Sequence, residues 1–530
     1  MLSRIHEHTG PWDMVVIGGG ATGAGVAVDA ASRGYSVLLL EREDFGKGTS
    51  SRSTKLVHGG VRYLEQGNVS LVMEALKERG ILLENAPHLV HELPFIVPNY
   101  SWWETPFYGI GLKIYDLLAG RYGFGRSRIL SVEETLERLP TIRQDGLRGG
   151  VVYHDGQFDD ARLLIDLLLT AADCGATLLN YAPVVELTRD ADGFVNGVEG
   201  VDRESGERFT ANAKVVINAT GIFADELRRL ADPDAAAMLA PSQGIHLVFD
   251  RSFLRGNTAI MVPHTTDGRV LFAIPWHGHT LVGTTDTPVD GPSYEPAPLE
   301  EEIQFVLDNA RQYLSRPPQR EDILSVFAGI RPLVKAAGSD ASKTSALARD
   351  HVIHIDASGM LTIVGGKWTT YRHMAEDTVN EAITLGELEP APCVTRTVRI
   401  HGYLPPGQPA IGEADNPDPL QVYGSDASLV LELAESDSAL ALPLDSALPY
   451  IGAQVVWAAR NEMARTLDDV LARRTRALLL NARAAMRMAP AAAQMLAREL
   501  DRDRAWADAQ VVEFLKLAAQ YNVDKEATVA

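Results

Sequence analysis

Apolar residues near the start of the chain form short continuous runs separated by a glycine cluster and a helical stretch. The run Met14–Ile17 is followed by the cluster Gly18–Gly20, a stretch of helix-forming residues at Ala21–Ser32 and a second apolar run at Val37–Leu40. Continuous apolar runs of this length are typical of buried parallel strands. The order therefore predicts a βαβ unit, with the glycine cluster between the first strand and the helix.

The rest of the chain alternates strand-like and helical patterns, and its composition changes near the C-terminus. Between Gly402 and Pro449 the sequence is rich in Pro, Gly, Ser and Asp, which predicts a linker, whereas Val455–Tyr521 is almost entirely helix-forming. The mixed pattern predicts the α/β class followed by a helical region. Further strands are predicted at Lys214–Asn218, Gly244–Asp250, Arg269–Ile274, Thr280–Gly283 and Met360–Val364, and helices at Arg162–Ala172 and Glu300–Tyr313.

The length and net charge of the chain exclude some classes of protein. A chain of 530 residues is too long for one core, so we expect at least two folded units. Its formal net charge of −21 argues against nucleic-acid binding and requires a local basic pocket for any anionic substrate. Cys174 and Cys393 stand in no CxxC motif, which indicates neither a disulfide framework nor a cysteine metal site. The polar N-terminus and the lack of a 20-residue apolar run predict a cytoplasmic protein.

The glycine cluster has the spacing of a dinucleotide-binding fingerprint. Gly18, Gly20 and Gly23 form GxGxxG directly after a strand and at the start of a helix, and Glu41 ends the next strand. Gly18 permits a tight turn, Gly20 lets a pyrophosphate approach the backbone and Gly23 allows close packing of helix on strand. Glu41 would accept the ribose hydroxyls and disfavours a 2′-phosphate, so NADP is not expected.

Two later turns favour FAD over NAD. Val215–Gly221 is a strand that ends in a small-residue turn, and it resembles the second FAD contact of flavoproteins with two dinucleotide sites. At Thr362–Arg372 a strand leads through Gly365 and Gly366 into a helix. The positive end of that helix would stabilise negative charge on a reduced flavin ring.

The stretch Thr49–Glu65 (TSSRSTKLVHGGVRYLE) resembles the signature of FAD-dependent glycerol-3-phosphate dehydrogenases. This resemblance implies a glutathione-reductase-like, three-layer FAD-binding domain at 1–395, with an interleaved antiparallel substrate domain at about 91–150 and 236–345. A helical domain at 396–530 would follow. The implied flavin contacts are Thr49, Ser50, Ser51, His58, Gly59, Gly60, Gly221, Gly365, Gly366, Lys367, Trp368 and Thr369. The resemblance continues at 158–163, 283–286, 329–333, 365–367 and 473–475.

The family implies oxidation of sn-glycerol 3-phosphate to dihydroxyacetone phosphate, with electrons passed from FAD to a membrane quinone. Three alternatives remain open from the residues. The protein could be a glycerol-3-phosphate oxidase that uses oxygen, an amine or amino-acid oxidase of related fold, or a non-catalytic FAD scaffold. The signature and the basic residues argue against the last two.

Candidate catalytic residues are cations for the phosphate and a base for the hydroxyl. Arg62, Arg331 and Lys367 are the cations, since Arg offers a planar fork and Lys a point charge. His246 is the candidate base, with Lys367 as its rival, because histidine titrates near neutral pH. His58 would position its loop against the flavin. No metal is expected, so the pairs His277/His279 and His351/His354 are interpreted as structural. Asp159 and Asp160 are interpreted as an N-cap pair.

Tyr100–Arg128 combines aromatic rings with basic residues, a composition suited to a lipid headgroup interface. A quinone-linked enzyme must reach the bilayer in which its acceptor is dissolved. The segment therefore predicts peripheral docking on the inner face of the membrane, with a core element or a dimer contact as the alternative. We also expect a homo-oligomer.

Overall fold

Two β-sheets organise the part of the chain that precedes residue 366. The structure is a computed structural model that describes residues 1–65, 67–263, 265, 268–335, 350–405, 412–413, 416–417 and 419–523. Within these ranges the side chains of Arg62, Glu65 and residues 412, 413, 416 and 417 lie outside the description.

The helices are α1 (Leu2–Glu7), α2 (Ala21–Ser32), α3 (Val61–Glu65), α4 (Val69–Asn85), α5 (Glu104–Ala119), α6 (Val132–Arg138), α7 (Asp160–Asp173), α8 (Ala224–Ala231), α9 (Glu300–Tyr313), α10 (Tyr371–Leu385), α11 (Ala427–Ser436), α12 (Gly452–Asn461), α13 (Ala477–Leu480), α14 (Ala482–Glu499) and α15 (Arg504–Ala518).

The strands are β1 (Trp12–Ile17), β2 (Val37–Leu40), β3 (Leu56–Val57), β4 (Val90–Pro98), β5 (Arg128–Leu130), β6 (Gly150–Phe158), β7 (Thr177–Leu179), β8 (Val184–Arg189), β9 (Val195–Val201), β10 (Arg208–Asn218), β11 (Leu239–Asp250), β12 (Ala259–Val262), β13 (Leu271–Trp276), β14 (His279–Gly283), β15 (Thr287–Pro288), β16 (Ile323–Val334), β17 (His351–Ile355), β18 (Leu361–Gly365), β19 (Gly412–Glu413), β20 (Asn416–Pro417), β21 (Pro443–Asp445) and β22 (Leu448–Ile451).

The first sheet carries the predicted βαβ unit. Its order is β17-β18-β10-β1-β2-β7, and β18, β10, β1, β2 and β7 run parallel. Helices α2, α7 and α10 contribute to one apolar cluster with its strands, while the β8–β9 hairpin and β10 share another with β1 and β2. Helices, a parallel sheet and a β-meander thus form three layers, which confirms the predicted α/β class and three-layer core.

The second sheet is largely antiparallel and lies beside the first. Its order is β15-β11-β14-β13-β12-β4-β6-β3, with β16 paired to β11 and β5 paired to β6. Its strands therefore come from two separate stretches of the chain, with the β8–β10 meander between them in sequence. The domain boundaries at 1–395 and 396–530 stay a prediction.

Most of the predicted elements are found within a few residues of their expected bounds, but the predicted linker was wrong in part. Residues 427–436 of that segment form α11, which packs Ala427, Val430 and Ala434 against Ala453 and Trp457. Pro, Gly, Ser and Asp dominate the composition of this segment, and that composition predicts a linker. Apolar residues at helical spacing outweigh that composition locally, because their burial stabilises the helix.

Charged side chains buried between the first sheet and the C-terminal region link the two. Asp44, in the loop after β2, accepts hydrogen bonds from Arg473 and Arg474, and the three side chains are at most 2% exposed. Asp159 pairs with Arg476, and Arg162 Nη1 lies 2.7 Å from Glu462 Oε1. Removal of one partner of such a pair leaves an uncompensated buried charge, so these pairs fix how the C-terminal region packs.

The same two regions are also linked by His401, a side chain that can gain or lose a proton. Its Nδ1 lies 2.8 Å from Asp173 Oδ2 at the end of α7, and its Nε2 lies 2.9 Å from Asp426 Oδ2. The hydrogen bond to Asp426, with that to Asp173, raises the pKa of His401 to about 9. Because the folded pKa exceeds the unfolded one, this stabilisation is complete below about pH 6.5 and is lost as pH rises through 9.

We therefore expect His401→Gln to lower the free energy of unfolding at pH 6 by on the order of 1 to 2 kcal/mol, after allowance for solvent screening. The difference from the wild type should shrink toward zero at pH 10. Thermal unfolding at both pH values measures this. His6→Gln, which removes the exposed pair with Glu207, is the control and should change little. An equal loss at pH 6 and pH 10 would contradict the assignment.

Candidate active site

A large cavity lies where the carboxyl ends of β1 and β10 meet the second sheet. It has a volume of about 1120 Å³ and is lined from both sheets and from the segment between β2 and α3. Ligands of open α/β sheets bind in the crevice outside the carboxyl ends of the strands. The position and size of this cavity make it the candidate active site.

The first glycine turn has the geometry that its fingerprint predicts. Gly18 has a φ of +112°, and a Cβ on it would lie 2.6 Å from the carbonyl oxygen of Ala219. A Cβ on Gly23 would collide with the backbone of Gly18, so close packing of α2 on β1 requires a glycine there. Gly20 is the N-cap of α2 and lines the cavity. The helix N-terminus can therefore receive a pyrophosphate without an intervening side chain.

Glu41 lies in the cavity wall directly after β2, as predicted. Its carboxylate accepts hydrogen bonds from the backbone N–H groups of Gly19, at 2.6 Å, and Glu43, at 2.8 Å. Burial raises the pKa of Glu41, while the two N–H donors favour its anion. Each carboxylate oxygen has a second lone pair, so Glu41 retains acceptor capacity for ribose hydroxyls.

An aromatic pair that the sequence did not indicate lies beside Glu41. The Arg42 guanidinium lies 4.6 Å from the ring centroid of Phe223 and 5.0 Å from that of Tyr294, and all three residues line the cavity. Phe223 follows the turn at Gly221, while Tyr294 comes from the loop after β15. The two rings make this end of the cavity suited to a planar base.

The segment after β2 contributes hydrogen bonds that join the walls of the cavity. Ser50 Oγ accepts from the backbone N–H of Ala21 at 2.9 Å, and the Ser50 carbonyl accepts from the indole N–H of Trp368 at 2.8 Å. The Thr49 hydroxyl donates to the carbonyl oxygen of Ile330 at 2.6 Å. Thr49 and Ser50 therefore connect the glycine turn to β16 and to the turn after β18.

The His58–Gly60 turn lies against the opposite wall. The backbone N–H of His58 donates to Thr369 Oγ1 at 3.2 Å, and that of Gly59 donates to Asp155 Oδ1 at 3.3 Å. Asp155 also accepts from Arg79 at 2.6 Å and from the Tyr115 hydroxyl at 2.8 Å. A buried carboxylate thus holds this turn, a role that no local sequence pattern predicts.

A second glycine turn precedes α10. Gly365 and Gly366 both have positive φ, at +79° and +72°, and a Cβ on Gly366 would collide with Met374. The next residue, Lys367, has its ammonium 3.9 Å from the ring centroid of Tyr63, a cation–π contact. Tyr63 belongs to the quoted signature, but its role was not anticipated.

Arg331 lies on β16 at the cavity wall, opposite Ser242 of β11. Its Nη2 donates to Thr284 Oγ1 and to the Thr285 carbonyl oxygen, both at 3.0 Å, and its Nη1 lies 3.4 Å from Asp286 Oδ1. These contacts fix the plane of the guanidinium. The side chain of Arg62, the third predicted cation, lies outside the described part of the chain.

His246 is placed on β11, and its side chain reaches the same cavity. The residue is 2% exposed, and its ring stacks on Phe327 with centroids 5.0 Å apart. Burial, followed by the positive charges of Lys55 and Arg331, holds the pKa of His246 well below its usual range. The imidazole is therefore neutral at pH 7 and can accept a proton.

The shape and chemistry of the cavity fit FAD. The open backbone at Gly18 and Gly20, the carboxylate of Glu41 and the aromatic pair suit an adenosine diphosphate half. The Gly365–Gly366 turn and the Thr49–Gly60 segment enclose the remaining space. The cavity volume of about 1120 Å³ lies just above the range of roughly 300 to 1,000 Å³ that is typical of small-ligand pockets, as a site for a dinucleotide requires.

The cavity brings most of the predicted residues together. Gly23, Ser51 and Gly59 lie behind its wall, and Ser51 donates to the carbonyl oxygen of Gly46 at 2.8 Å. The predicted residues in the wall are Gly18, Gly20, Glu41, Thr49, Ser50, His58, Gly60, Gly221, His246, Arg331, Gly365, Gly366, Lys367, Trp368 and Thr369.

The two histidine pairs and the Asp159–Asp160 pair make hydrogen bonds and ion pairs with other side chains of the protein. His277 Nε2 lies 2.8 Å from Asp159 Oδ2, and His351 Nε2 lies 3.0 Å from Asp377 Oδ2. Among the described residues, no group of three or more His, Cys, Asp or Glu side chains is placed to hold a metal ion. Asp159 is the N-cap of α7 as predicted, and Asp160, the first residue of the helix, accepts from the backbone N–H of Ala161 at 2.8 Å and also pairs with Lys55.

The aromatic segment forms α5, whose outer side is apolar. We call the exposed side chains of Trp103, Phe107, Ile110, Ile114 and Leu117 the α5 apolar face; Ile110 is 65% and Leu117 is 81% exposed. On the opposite side, Tyr108, Leu112 and Tyr115 are buried. No helix in the described ranges is both long and apolar enough to cross a bilayer.

Comparison with protein families and curated proteins gives consistent matches. The model of the FAD dependent oxidoreductase family matches residues 13–372, and that of the C-terminal domain of alpha-glycerophosphate oxidase matches residues 360–508. The mitochondrial glycerol-3-phosphate dehydrogenase of Homo sapiens is 41% identical over 542 residues, which cover 97% of this chain and 74% of the human protein.

Solved structures extend this similarity to the fold. The glycerol-3-phosphate dehydrogenase of Bacillus halodurans, complexed with FAD, is 31% identical with a TM-score of 0.78, over 98% of this chain and 97% of that one. The L-alpha-glycerophosphate oxidase of Mycoplasma pneumoniae shares only the fold, at 18% identity and a TM-score of 0.55 over 72% and 96%. The chain therefore belongs to the family of FAD-dependent glycerol-3-phosphate dehydrogenases.

Proposed function

We propose that the protein oxidises sn-glycerol 3-phosphate to dihydroxyacetone phosphate and passes the electrons to a membrane quinone. The observation that carries this proposal is one cavity in which a dinucleotide cradle adjoins a buried neutral histidine and two cations. Bound FAD supplies a two-electron acceptor for the hydride that leaves C2 of the alcohol. The residues of the chain do the rest: they hold the phosphate, orient the alcohol and accept its proton.

Arg331 and Lys367 are proposed to bind the phosphate. Their side chains face the same cavity, from β16 and from the turn after β18. Asp286 and the carbonyl oxygen of Thr285 hold the Arg331 guanidinium in one plane, which prepares its fork for phosphate oxygens. Arg62 remains a predicted third cation. Local cations are needed because a chain with a net charge of −21 otherwise repels a dianion.

His246 is proposed as the base for the substrate hydroxyl. Its burial and the nearby cations keep it neutral, which is the state that accepts a proton. Lys367, the predicted rival, lies on the Tyr63 ring, and a cation–π contact favours its charged form. These contacts support phosphate binding by Lys367 and proton transfer to His246.

The quinone acceptor motivates a docking role for the α5 apolar face. Its side chains repeat at intervals of three and four residues, and the exposed Trp102 lies just before the helix. Lys113, Arg121 and Arg126 are exposed on the same segment. This combination of apolar, aromatic and basic groups supports peripheral contact with an acidic bilayer. Localisation on the inner face of the membrane and homo-oligomerisation remain predictions.

The test of the reaction is reduction of the flavin in the purified holoenzyme without oxygen. Glycerol 3-phosphate should bleach the flavin absorbance, while amino acids should not. Bleaching by amino acids would favour an amino-acid oxidase, and no bleaching by either would favour a scaffold. Reoxidation of the flavin by a soluble quinone should be much faster than reoxidation by oxygen. Faster reoxidation by oxygen would indicate an oxidase.

Arg331→Ala should raise the KM for glycerol 3-phosphate about 10- to 100-fold, the effect of losing charged hydrogen bonds to phosphate, while FAD stays bound. Steady-state kinetics and the flavin spectrum measure the two effects. Arg208→Ala, at a 71% exposed arginine on β10, is the control. An unchanged KM in Arg331→Ala would remove this residue from the phosphate site.

Ile110→Glu should abolish co-sedimentation with vesicles of phosphatidylglycerol and phosphatidylcholine, because it places a charge within the α5 apolar face. Flavin reduction by glycerol 3-phosphate in solution should not change. Val512→Glu, at a side chain of α15 that is 53% exposed, is the matched control. If Ile110→Glu instead changes the sedimentation coefficient of the free protein and leaves vesicle binding intact, the face is an interface between copies.

A further inference from the structure

His246 is almost completely buried, so only a small part of its ring is exposed to the cavity. One side stacks on Phe327 at an interplanar angle of 19°, and a Cβ on Gly283 would collide with the ring edge. Its Nδ1 is buried and has no hydrogen-bond partner among the described residues. His246 lines the cavity, but these contacts confine its ring, so the group that faces Nε2 bears on how a substrate proton could reach it.

Thr54 is that group. Its Oγ1 lies 3.0 Å from His246 Nε2, and the residue is half-buried in the cavity wall. A hydroxyl can donate one hydrogen bond while it accepts another. Thr54 is thus placed in series between the cavity and the base. If Thr54 donates to Nε2, the ring proton lies on Nδ1; if Thr54 accepts from Nε2, Nδ1 is unprotonated.

The backbone around Thr54 is strained and firmly held. Lys55 has a φ of +65°, which is uncommon for a side chain of this size. Its ammonium lies 2.7 Å and 2.9 Å from the two carboxylate oxygens of Asp160, and both residues are fully buried. Ser53 donates to the same carboxylate through its N–H, at 3.0 Å, and its hydroxyl, at 2.7 Å. Strained backbone that is held in place by many contacts is concentrated at functional sites in proteins.

We propose that Thr54 relays the proton of the substrate hydroxyl to His246. The bond between O2 and its proton breaks as a bond from that proton to Thr54 Oγ1 forms, and the proton of Thr54 passes to Nε2. The electron pair left on O2 forms the carbonyl bond as the hydride leaves C2 for FAD. The alcohol is oxidised by two electrons, FAD is reduced by two, and His246 ends as the imidazolium. This inference rests on the proposed function.

The charged groups that face His246 fit a relay. Lys55 and Arg331 are the cations beside it; Lys55 pairs with Asp160, and Arg331 pairs with Asp286. Positive charge next to the ring keeps it neutral until a dianionic substrate arrives. The relayed proton then finds an unprotonated acceptor in Nε2 of His246.

The kinetic test compares Thr54→Val, which keeps the shape, with Thr54→Ser, which keeps the hydroxyl. In anaerobic rapid mixing of holoenzyme with glycerol 3-phosphate, Thr54→Val should reduce its flavin about 100-fold more slowly, the usual range for loss of general-base catalysis. The Kd for the substrate should stay within about threefold. Thr54→Ser should recover to within about tenfold of the wild type.

Thr188→Val is the matched control, since Thr188 is half-buried and its hydroxyl contacts Asn196 on the β8–β9 hairpin. Its rate should equal that of the wild type. Equal rates in Thr54→Val and the wild type would overturn the relay. Equally slow reduction in Thr54→Val and Thr54→Ser would also overturn it, because packing rather than the hydroxyl would then matter.

A second measurement does not depend on turnover. In holoenzyme labelled with ¹⁵N-histidine, the signal of His246, assigned by its loss in His246→Gln, should show an unprotonated Nε2 in the wild type and in Thr54→Ser. The signal should shift in Thr54→Val. A protonated Nε2 in the wild type would overturn the relay. Failure of glycerol 3-phosphate to bleach wild-type flavin would refute the proposed function instead, and the ¹⁵N comparison would still decide the role of Thr54.

Discussion

The ion pair between Lys55 and Asp160 holds the segment on which all walls of the cavity converge. Both side chains are fully buried, and the Lys55 ammonium also donates to the carbonyl oxygen of Ser51 at 2.7 Å. Residues 49–58 contact the glycine turn through Ser50, β16 through Thr49 and His246 through Thr54. Burial lowers the pKa of Lys55, so its charge depends on Asp160. The cofactor and substrate sides of the cavity are thus aligned by one charge pair.

The arginines of the C-terminal region stabilise the same centre from behind. Asp44, which Arg473 and Arg474 bind, lies three residues after Glu41 in the cavity wall. Asp159, which Arg476 binds, immediately precedes the partner of Lys55. Buried pairs contribute little net free energy, but they penalise any arrangement that separates them. The C-terminal helices therefore fix the positions of the loops that carry the site, although they contribute few groups to the cavity.

Local patterns in the sequence were enough to predict the βαβ unit, the fold class and most residues of the cavity wall. The strand–glycine–helix order is a local signal, and β1, α2 and β2 are found where it predicts them. Thr54, 192 residues from His246, gave no signal of its own, since only the tertiary fold brings the two together. The roles of Asp155 and Asp160 depend on contacts with residues 76 and 105 positions away. Periodicity carries no information on such pairings.

The charge of the substrate links binding to chemistry in this site. Burial, and then the positive charges of Lys55 and Arg331, lower the pKa of His246, so the imidazole alone is a poor base. A phosphate dianion bound as proposed would offset these positive charges and raise the proton affinity of the ring. Glycerol, which lacks the phosphate, would lose both its binding energy and the activation of the base. If Arg331 and Lys367 hold the phosphate as proposed, proton transfer would depend on the phosphate, and its absence would lower kcat as well as raise KM.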